Sequence, residues 1–284
     1  MGNIIVGIDF SENSINSLKH AVAVALKTSY TLHLVWVKTP GITKGLAKEN
    51  KSNFVQMASD KLNRLMEECK KEASKVKIQT VILEGRPFLE LTKYAASLKK
   101  SLIVIGTHGV SGFEENFIGS NAYKTTAVST VPILVLREGV KVKRDLTQIV
   151  VPIDVSFDTL QKVKTATEFA KSFSAKILLA GFYEKNNQQE EHVVNIQLHH
   201  AETICSSVNV RHDIEMIPFK GNITNAIVQY GKNKDANLIT IMREGDDTGE
   251  ISNLWMGNTT QQLLTKSTLP LLIIPNENHI SVSK

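Results

Sequence analysis

The 284-residue sequence repeats one succession of short apolar runs and amphipathic stretches, and this internal repeat constrains the fold more than any other feature. The apolar run Asn3–Ile8 ends at Asp9, and the run Gln148–Ile153 ends at Asp154, 145 residues later. Each half also closes on a short, strongly apolar run that contains one proline. A repeat of this length predicts two domains of one architecture.

Apolar strands alternate with helices within each half. The predicted strands of the first half are 3–8, 31–37, 76–83, 102–106 and 131–136, and the predicted helices are 11–28, 52–74, one that starts at 87, and 120–128. Strands that are apolar throughout and alternate with helices are typical of a parallel sheet covered on both faces. The sequence therefore predicts an α/β fold for each half.

A glycine-punctuated stretch follows the fourth strand of the first half. Two residues separate Gly106 from Gly109, nine separate Gly109 from Gly119, and Ser120 and Asn121 then open a helix. Glycines let a backbone approach a phosphate, and the N–H groups at a helix start point towards it. The stretch lacks the lysine of a P-loop and is not a tight dinucleotide-binding fingerprint. Taken alone, it is either a phosphate site or an ordinary loop.

This spacing, together with the flanking strands, resembles the ATP-binding signature of the universal stress protein family. The resemblance extends over nearly the whole chain and implies the tandem type, with domain 1 at 1–138 and domain 2 at 146–284. It also implies two Rossmann-like domains (adenine nucleotide alpha hydrolase-like), each a five-stranded parallel sheet of order 3-2-1-4-5. The implied function is that of a stress-response or regulatory protein that binds ATP, accompanied by Mg²⁺, in domain 1.

The resemblance also assigns the binding residues of domain 1. Those that would cradle the phosphates are Gly106, Gly109, Gly119, Ser120 and Asn121. Asp9 would face the ribose and the metal, and the backbone of Val37 would read the adenine edge. Each has an alternative: Asp9 caps the helix that starts near Asn13, and Val37 belongs only to the core. His108 either faces a phosphate or is a solvated loop histidine.

Domain 2 departs from this pattern. Met242 occupies the position that corresponds to Gly106, eleven residues separate Gly245 from Gly257 instead of nine, and Asn258 replaces the serine. The β-carbon of methionine limits the approach of the backbone to a phosphate. Acidic residues also crowd the corresponding loop, namely Glu244, Asp246 and Asp247. We therefore expect domain 2 not to bind ATP in the usual way, although Asp154 leaves room for a different small ligand.

Composition narrows the class of protein and its possible partners. A hydrophobic content of 42% with 21% charged residues describes a globular protein, and no apolar run reaches the roughly 18 residues of a membrane span. The first residues enter a strand directly, and there are only two cysteines, so we expect a cytoplasmic protein. The net charge of +5 is scattered and aromatic residues are few, which predicts neither nucleic acid nor membrane as a partner.

Catalytic signals are sparse. The sequence contains neither a Gly-x-Ser-x-Gly elbow nor a His-Glu-x-x-His pair. His192, His199 and His200 are poorly spaced for a shared metal, so no metal site is predicted. Cys69 and Cys205 are interpreted as structural thiols. We predict no catalytic residue and at most slow ATP hydrolysis, while an enzyme of the same fold, a nucleotide hydrolase or nucleotidyl transferase, remains the alternative.

The last strand of each half is predicted to lie at a sheet edge. Natural proteins cover or pair such an edge when it is apolar, and both 131–136 and 269–274 are. In dimers of the family, the corresponding strands pair antiparallel. The resemblance therefore implies an intramolecular pseudo-dimer through these strands. The other arrangement is that another molecule covers each edge. The pseudo-dimer also leaves room for a further homodimer.

Overall fold

The chain divides into two compact units, Met1–Arg144 and Asp145–Lys284. The computed structural model describes residues 2–40, 48–107, 119–137, 146–156, 159–243 and 258–276, with the side chains of 48–52 excluded. Within these ranges, no helix is both long and apolar enough to cross a membrane.

Five strands and four helices alternate in the first unit. They are β1 (Asn3–Gly7), α1 (Glu12–Thr28), β2 (Thr31–Lys38), α2 (Lys48–Glu72), β3 (Ile78–Glu84), α3 (Pro87–Ser97), β4 (Ser101–Gly106), α4 (Ser120–Val128) and β5 (Ile133–Leu136). The strands pair in parallel in the order β3-β2-β1-β4-β5. The predicted fold and strand order are therefore confirmed for this unit.

The register of the pairing brings the carboxyl ends of the central strands β1, β2 and β4 to the same edge of the sheet. Val6 of β1 lies opposite Leu34 of β2 and Val104 of β4. All three side chains are fully buried. Right-handed crossovers place α1 and α2 on one face of the sheet and α3 and α4 on the other, and α3 packs against α4. The order of the strands reverses between β1 and β4, where such sheets form a crevice.

The second unit has the same architecture. Its elements are β6 (Gln148–Ile153), α5 (Thr159–Phe173), β7 (Lys176–Glu184), α6 (Gln188–Ser207), β8 (His212–Phe219), α7 (Ile223–Asn233), β9 (Leu238–Met242), α8 (Asn258–Lys266) and β10 (Leu271–Ile274). The strands pair in parallel in the order β10-β9-β6-β7-β8. This is the order of the first unit, so the fold predicted from the repeat is confirmed here as well.

A buried histidine joins three elements in the first unit. His33 of β2 is 2% exposed. Its Nδ1 lies 2.8 Å from the Tyr94 hydroxyl and 2.7 Å from the amide nitrogen of Gln79, and its Nε2 lies 2.9 Å from Asn3 Oδ1. Because donors surround Nδ1 and an acceptor faces Nε2, the ring fits as a neutral imidazole that donates from Nε2. Burial, and to a lesser degree the charge of Lys77, lower the pKa of His33.

We expect this histidine to make the first unit less stable in acid. An unfolded histidine titrates near a pKa of about 6.5. Since the folded pKa is lower, the unfolded chain binds more protons at pH values between the two pKa values. The free energy of unfolding therefore falls as the pH falls, by at most about 1.4 kcal/mol per pH unit. Urea unfolding at several pH values should show a flatter dependence for His33→Gln, and equal slopes for both proteins would contradict the assignment.

The two cysteines lie on corresponding helices, Cys69 on α2 and Cys205 on α6. Cys205 is fully buried, whereas Cys69 is partly exposed. Burial, followed by neighbouring glutamates, raises the pKa of each thiol to about 11. Thiolates are therefore scarce at neutral pH, which agrees with the interpretation as structural thiols.

Candidate functional site

A cavity of about 470 Å³ lies where β1, β2 and β4 end in the first unit. This volume is within the range of about 300–1,000 Å³ that small-molecule sites occupy. The described residues that line it are Gly7, Ile8, Asp9, Phe10, Ser14, Val35, Trp36, Val37, Thr39, Phe54, Met57, Ala58, Lys61, Pro87, Leu91, Ile105, Gly106, Thr107, Gly119, Ser120, Asn121, Ala122 and Thr125. The cavity therefore collects six of the eight residues that the sequence analysis selected.

The start of α4 forms a polar wall of this cavity. Thr107 donates its backbone N–H to Leu136 O at 2.9 Å, and its own carbonyl accepts from the N–H of Gly119 at 2.6 Å. These bonds fix the point where α4 begins. Gly119 is the N-cap and has no side chain to cap the first turn. The N–H groups of Ser120 and Asn121, which have no partner within the helix, can therefore reach a ligand in the cavity.

Asp9 occupies the mouth of the cavity, directly beyond β1. Its Oδ1 accepts from the N–H of Ser11 at 3.0 Å and from the Ser11 hydroxyl at 2.6 Å. Ser11, not Asp9, is the N-cap of α1, because its hydroxyl accepts from the N–H of Ser14. The interpretation of Asp9 as the cap is therefore wrong, although Asp9 orients the residue that does cap the helix. Its carboxylate is exposed, and Oδ2 takes part in neither bond with Ser11.

Gly106 has a packing role that the spacing of the glycines did not predict. A Cβ on this residue would lie 3.1 Å from Ser17 Oγ and 3.2 Å from Asn13 Cγ, both on α1. Contacts this short would require the neighbouring atoms of α1 to give by a few tenths of an ångström. Glycine at this position therefore lets α1 pack closely against the end of β4, whether or not a phosphate also approaches it.

An apolar wall comes from β2 and α2. Val37, 8% exposed, lies opposite Leu83 in the sheet register and also lines the cavity. It thus belongs to the core, as the alternative interpretation has it, and it adjoins the cavity as well. Trp36 and Phe54 contact each other with ring centroids 5.8 Å apart and planes tilted by 55°. A planar aromatic ligand could pack against this wall.

Two of the predicted binding residues, His108 and Gly109, lie outside the described residues. The sequence analysis missed the contribution of α2. Phe54, Met57, Ala58 and Lys61 line the cavity from one face of this helix. Their spacing of i, i+3, i+4 and i+7 shows that they share a face of the helix, but it does not show that this face turns towards the cavity.

The corresponding region of the second unit keeps one feature and alters others. Asp154 Oδ1 accepts from the N–H of Ser156 at 2.9 Å and from its hydroxyl, as Asp9 does from Ser11. The N–H of Arg243 donates to Ile274 O at 2.8 Å, as that of Thr107 does to Leu136. Burial lowers the pKa of Arg243. The backbone frame of the site is therefore retained.

The side chains within this frame differ most where α5 meets β9. Lys162 stands where Ser17 stands in the first unit, since each lies eight residues after the aspartate that ends its strand. Lys162 is 3% exposed. Met242 replaces Gly106 at the end of β9. Gly245, Gly257 and the three acidic loop residues lie outside the described part of the chain. Two large side chains thus occupy positions that are small in the first unit.

Within the described residues, no three His, Cys, Asp or Glu side chains gather as metal ligands would. His199 of α6 instead contacts Glu202, with 3.1 Å between Nδ1 and Oε2.

Comparison with known proteins returns one family twice. The family model described as the universal stress protein family matches residues 1–137 and again 146–275. The universal stress protein MJ0531 of Methanocaldococcus jannaschii is 29% identical over 138 residues, which cover 48% of this chain and 81% of that protein. YxiE of Bacillus subtilis is 27% identical over 147 residues, 47% of this chain and 97% of its own length. A universal stress protein structure from Archaeoglobus fulgidus matches with a TM-score of 0.75 at 17% identity, covering 96% of this chain and 98% of that one.

Proposed function

We propose that the first unit of this chain binds ATP and that the chain acts as a stress-response or regulatory binding protein. The premise of the proposal is that this chain belongs to the universal stress protein family. The observation that carries the proposal is one cavity of about 470 Å³ that joins an apolar wall to an uncapped helix start. An adenine nucleotide combines the same two chemistries, a flat apolar base and a run of phosphates.

The polar wall supplies what a phosphate needs. The aligned peptide dipoles of a helix place about half a positive charge at its start, and the N–H groups of the first turn donate to an anion. In this chain those groups belong to Ser120 and Asn121, and the Ser120 hydroxyl adds another donor. The Asp9 carboxylate, exposed at the cavity, is a hard oxygen ligand of the kind that Mg²⁺ prefers. Asp9 would therefore hold the Mg²⁺ that neutralises part of the phosphate charge.

The apolar wall supplies what the base needs. Trp36, Val37 and Phe54 offer a dry surface for a planar ring. Backbone groups at the end of β2 can hydrogen-bond the edge of such a ring, which is how adenine would be distinguished from other bases.

The identity of the ligand is tested by releasing it. Mass spectrometry of small molecules freed from the denatured protein, followed by calorimetric titration with ATP, ADP, AMP and GTP, should yield an adenine nucleotide that binds at least tenfold more tightly than GTP. The nucleotide cAMP, which is present in one solved universal stress protein, belongs in the same series. Equal affinity for GTP and ATP, or no binding of either, would contradict the proposal.

We propose further that any hydrolysis is slow. Of the described residues that line the cavity, Asp9 is the one carboxylate, and Ser11 already engages its Oδ1. A general base must lie within hydrogen-bonding reach of the attacking water. Turnover should therefore stay well below the roughly 10 per second of a typical enzyme. A steady-state phosphate-release assay checks this, and turnover in that range would favour the enzyme alternative.

The second unit is proposed not to bind ATP in this way. Met242 and the buried Lys162 support this, because they replace the small pair Gly106 and Ser17.

A further proposal concerns β5 and β10, the terminal strands of their sheets, which we propose to pair with each other within one chain. Backbone N–H exchange along both strands should then be slow in dilute, monomeric protein. Fast exchange, or protection that disappears on dilution, would contradict this.

A further inference from the structure

Lys61 is the one basic residue among the described residues that line the cavity. Lys61 lies on α2, on the same helical face as Phe54, Met57 and Ala58. It lies outside the glycine-containing stretch that the sequence analysis assigned to phosphate binding. Since α2 and α4 lie on opposite faces of the sheet, Lys61 and the start of α4 present positive charge to the cavity from two sides.

Lys61 lies over an aromatic ring, as Lys100, Lys124 and Lys234 do. Among the described residues, it lacks the ion pair that several other lysines form. Lys38, Lys70 and Lys234 each place Nζ within 3.1 Å of a glutamate oxygen. Lys61 Nζ instead lies 5.3 Å from the centroid of the Phe10 ring. Within the described part of the chain, no carboxylate is within 4.0 Å of Lys61 Nζ. Its charge is thus not neutralised there by an ion pair.

Phe10 is held in an unusual backbone conformation beside this lysine. Its φ is +65°, in the left-handed region that bulky residues seldom adopt. Such conformations persist where the surroundings enforce them, and they concentrate at ligand sites. Phe10 follows Asp9 directly, and its ring also lines the cavity. The ring that Lys61 contacts therefore belongs to the residue that follows Asp9, whose carboxylate is proposed to hold Mg²⁺.

We infer that Lys61 is a phosphate-binding residue of this cavity, which exchanges its contact with the Phe10 ring for a phosphate oxygen when a nucleotide binds. The inference rests on the proposed function of the cavity. A cation–π contact of an exposed lysine is weak. A hydrogen bond between an ammonium and a phosphate oxygen is charge-assisted and stronger, so the phosphate competes successfully. Through Lys61, α2 thereby contacts the phosphates of the ligand.

This role predicts an effect that depends on the number of phosphates. The attraction of Lys61 acts on phosphate charge and not on the base or the ribose. Replacing it by a neutral residue should therefore weaken the binding of ATP most, weaken AMP less, and leave adenosine unchanged. A lysine that only stabilised α2 by contacting Phe10 would affect all three ligands alike.

The test is calorimetric titration of the full-length chain with ATP, AMP and adenosine. Lys61→Gln should bind ATP about tenfold more weakly than the wild type, with adenosine affinity unchanged, and Lys61→Arg should restore most of the loss. Lys71→Gln is the matched control, because it removes the same charge from the same helix about 15 Å further along its axis. This control should bind ATP as the wild type does.

Two results are distinguishable from each other. ATP affinity of Lys61→Gln within twofold of the wild type, or an equal loss for adenosine, would overturn the role of Lys61 and leave the proposed function standing. A wild-type chain that binds no adenine nucleotide would overturn the proposed function and the inference together.

Discussion

Replacing Gly119 by valine is expected to lower the affinity for ATP at least about 100-fold. Gly119 is the N-cap of α4, with φ −56° and ψ 139°, a conformation that valine also adopts. The backbone should therefore keep its course while a branched side chain is added beside the first-turn N–H groups. Losing two hydrogen bonds to a charged phosphate costs about 1.5–3 kcal/mol each, and about 1.4 kcal/mol is a factor of ten in affinity.

The matched control for this variant lies in the second unit. Asn222 caps α7, where its Oδ1 accepts from the N–H of Asn225 at 3.2 Å. Asn222→Val should cost about 1 kcal/mol of stability and leave ATP affinity unchanged. Adenosine, which has no phosphate, should still bind to Gly119→Val. Wild-type ATP affinity in Gly119→Val, measured by calorimetry, would remove the start of α4 from the site.

Replacing Ala58 by tryptophan should weaken the binding of ATP and adenosine alike, by about 100-fold. Ala58 is 5% exposed and lines the apolar part of the cavity from α2. A large ring at this position would occupy the space proposed for the base. Burying roughly 100–150 Å² of a base contributes about 3 kcal/mol at about 25 cal/mol per Å², so affinity should fall about 100-fold.

The same calorimetric series distinguishes the two walls. Ala58→Trp should weaken the binding of adenosine, whereas Gly119→Val should keep it. Gln56→Trp, on an exposed position of the same helix that is not part of the lining, serves as the control and should bind both ligands normally. Thermal unfolding shows whether Ala58→Trp is folded, and Ala58→Leu gives a smaller, graded loss. Unchanged adenosine affinity in folded Ala58→Trp would place the base elsewhere.

The sequence was sufficient to predict the fold because the physical signals repeat. Strand runs such as Ile103–Ile105 are apolar throughout, and the same succession occurs twice, so errors in one half can be checked against the other. The strand order came from the family resemblance, since alternation alone permits several parallel topologies. Boundaries differ by a few residues, as for α2, predicted from residue 52 and observed from Lys48.

The candidate site was predictable only where residues follow the strands directly. Asp9 and Gly106 come at the ends of neighbouring strands, so their meeting follows from the topology. Lys61 lies in the middle of a long helix, and nothing local shows that its face turns towards the cavity. Trp36 and Phe54 are likewise brought together only by the packing of α2 on β2. Such contacts depend on tertiary structure, which one sequence does not specify residue by residue.

Glycines at neighbouring positions of one motif can have different structural roles. The spacing of Gly106, Gly109 and Gly119 predicted one shared role at a phosphate. The structure gives Gly106 a packing role against Ser17, and Gly119 the role of an uncapped helix start. In the second unit, Met242 and Lys162 replace Gly106 and Ser17 as a pair. Since both replacements are larger, these two positions cannot pack in the second unit as they do in the first.

The stoichiometry of ATP binding to the full-length chain tests the central claim most directly. Titration of the wild type with ATP in the presence of Mg²⁺, at protein concentrations above the dissociation constant, counts the nucleotides that each chain holds. One intact and one altered site predict one ATP per chain for the wild type and none for Gly119→Val. Two ATP per chain, or one that remains in Gly119→Val, would contradict the account.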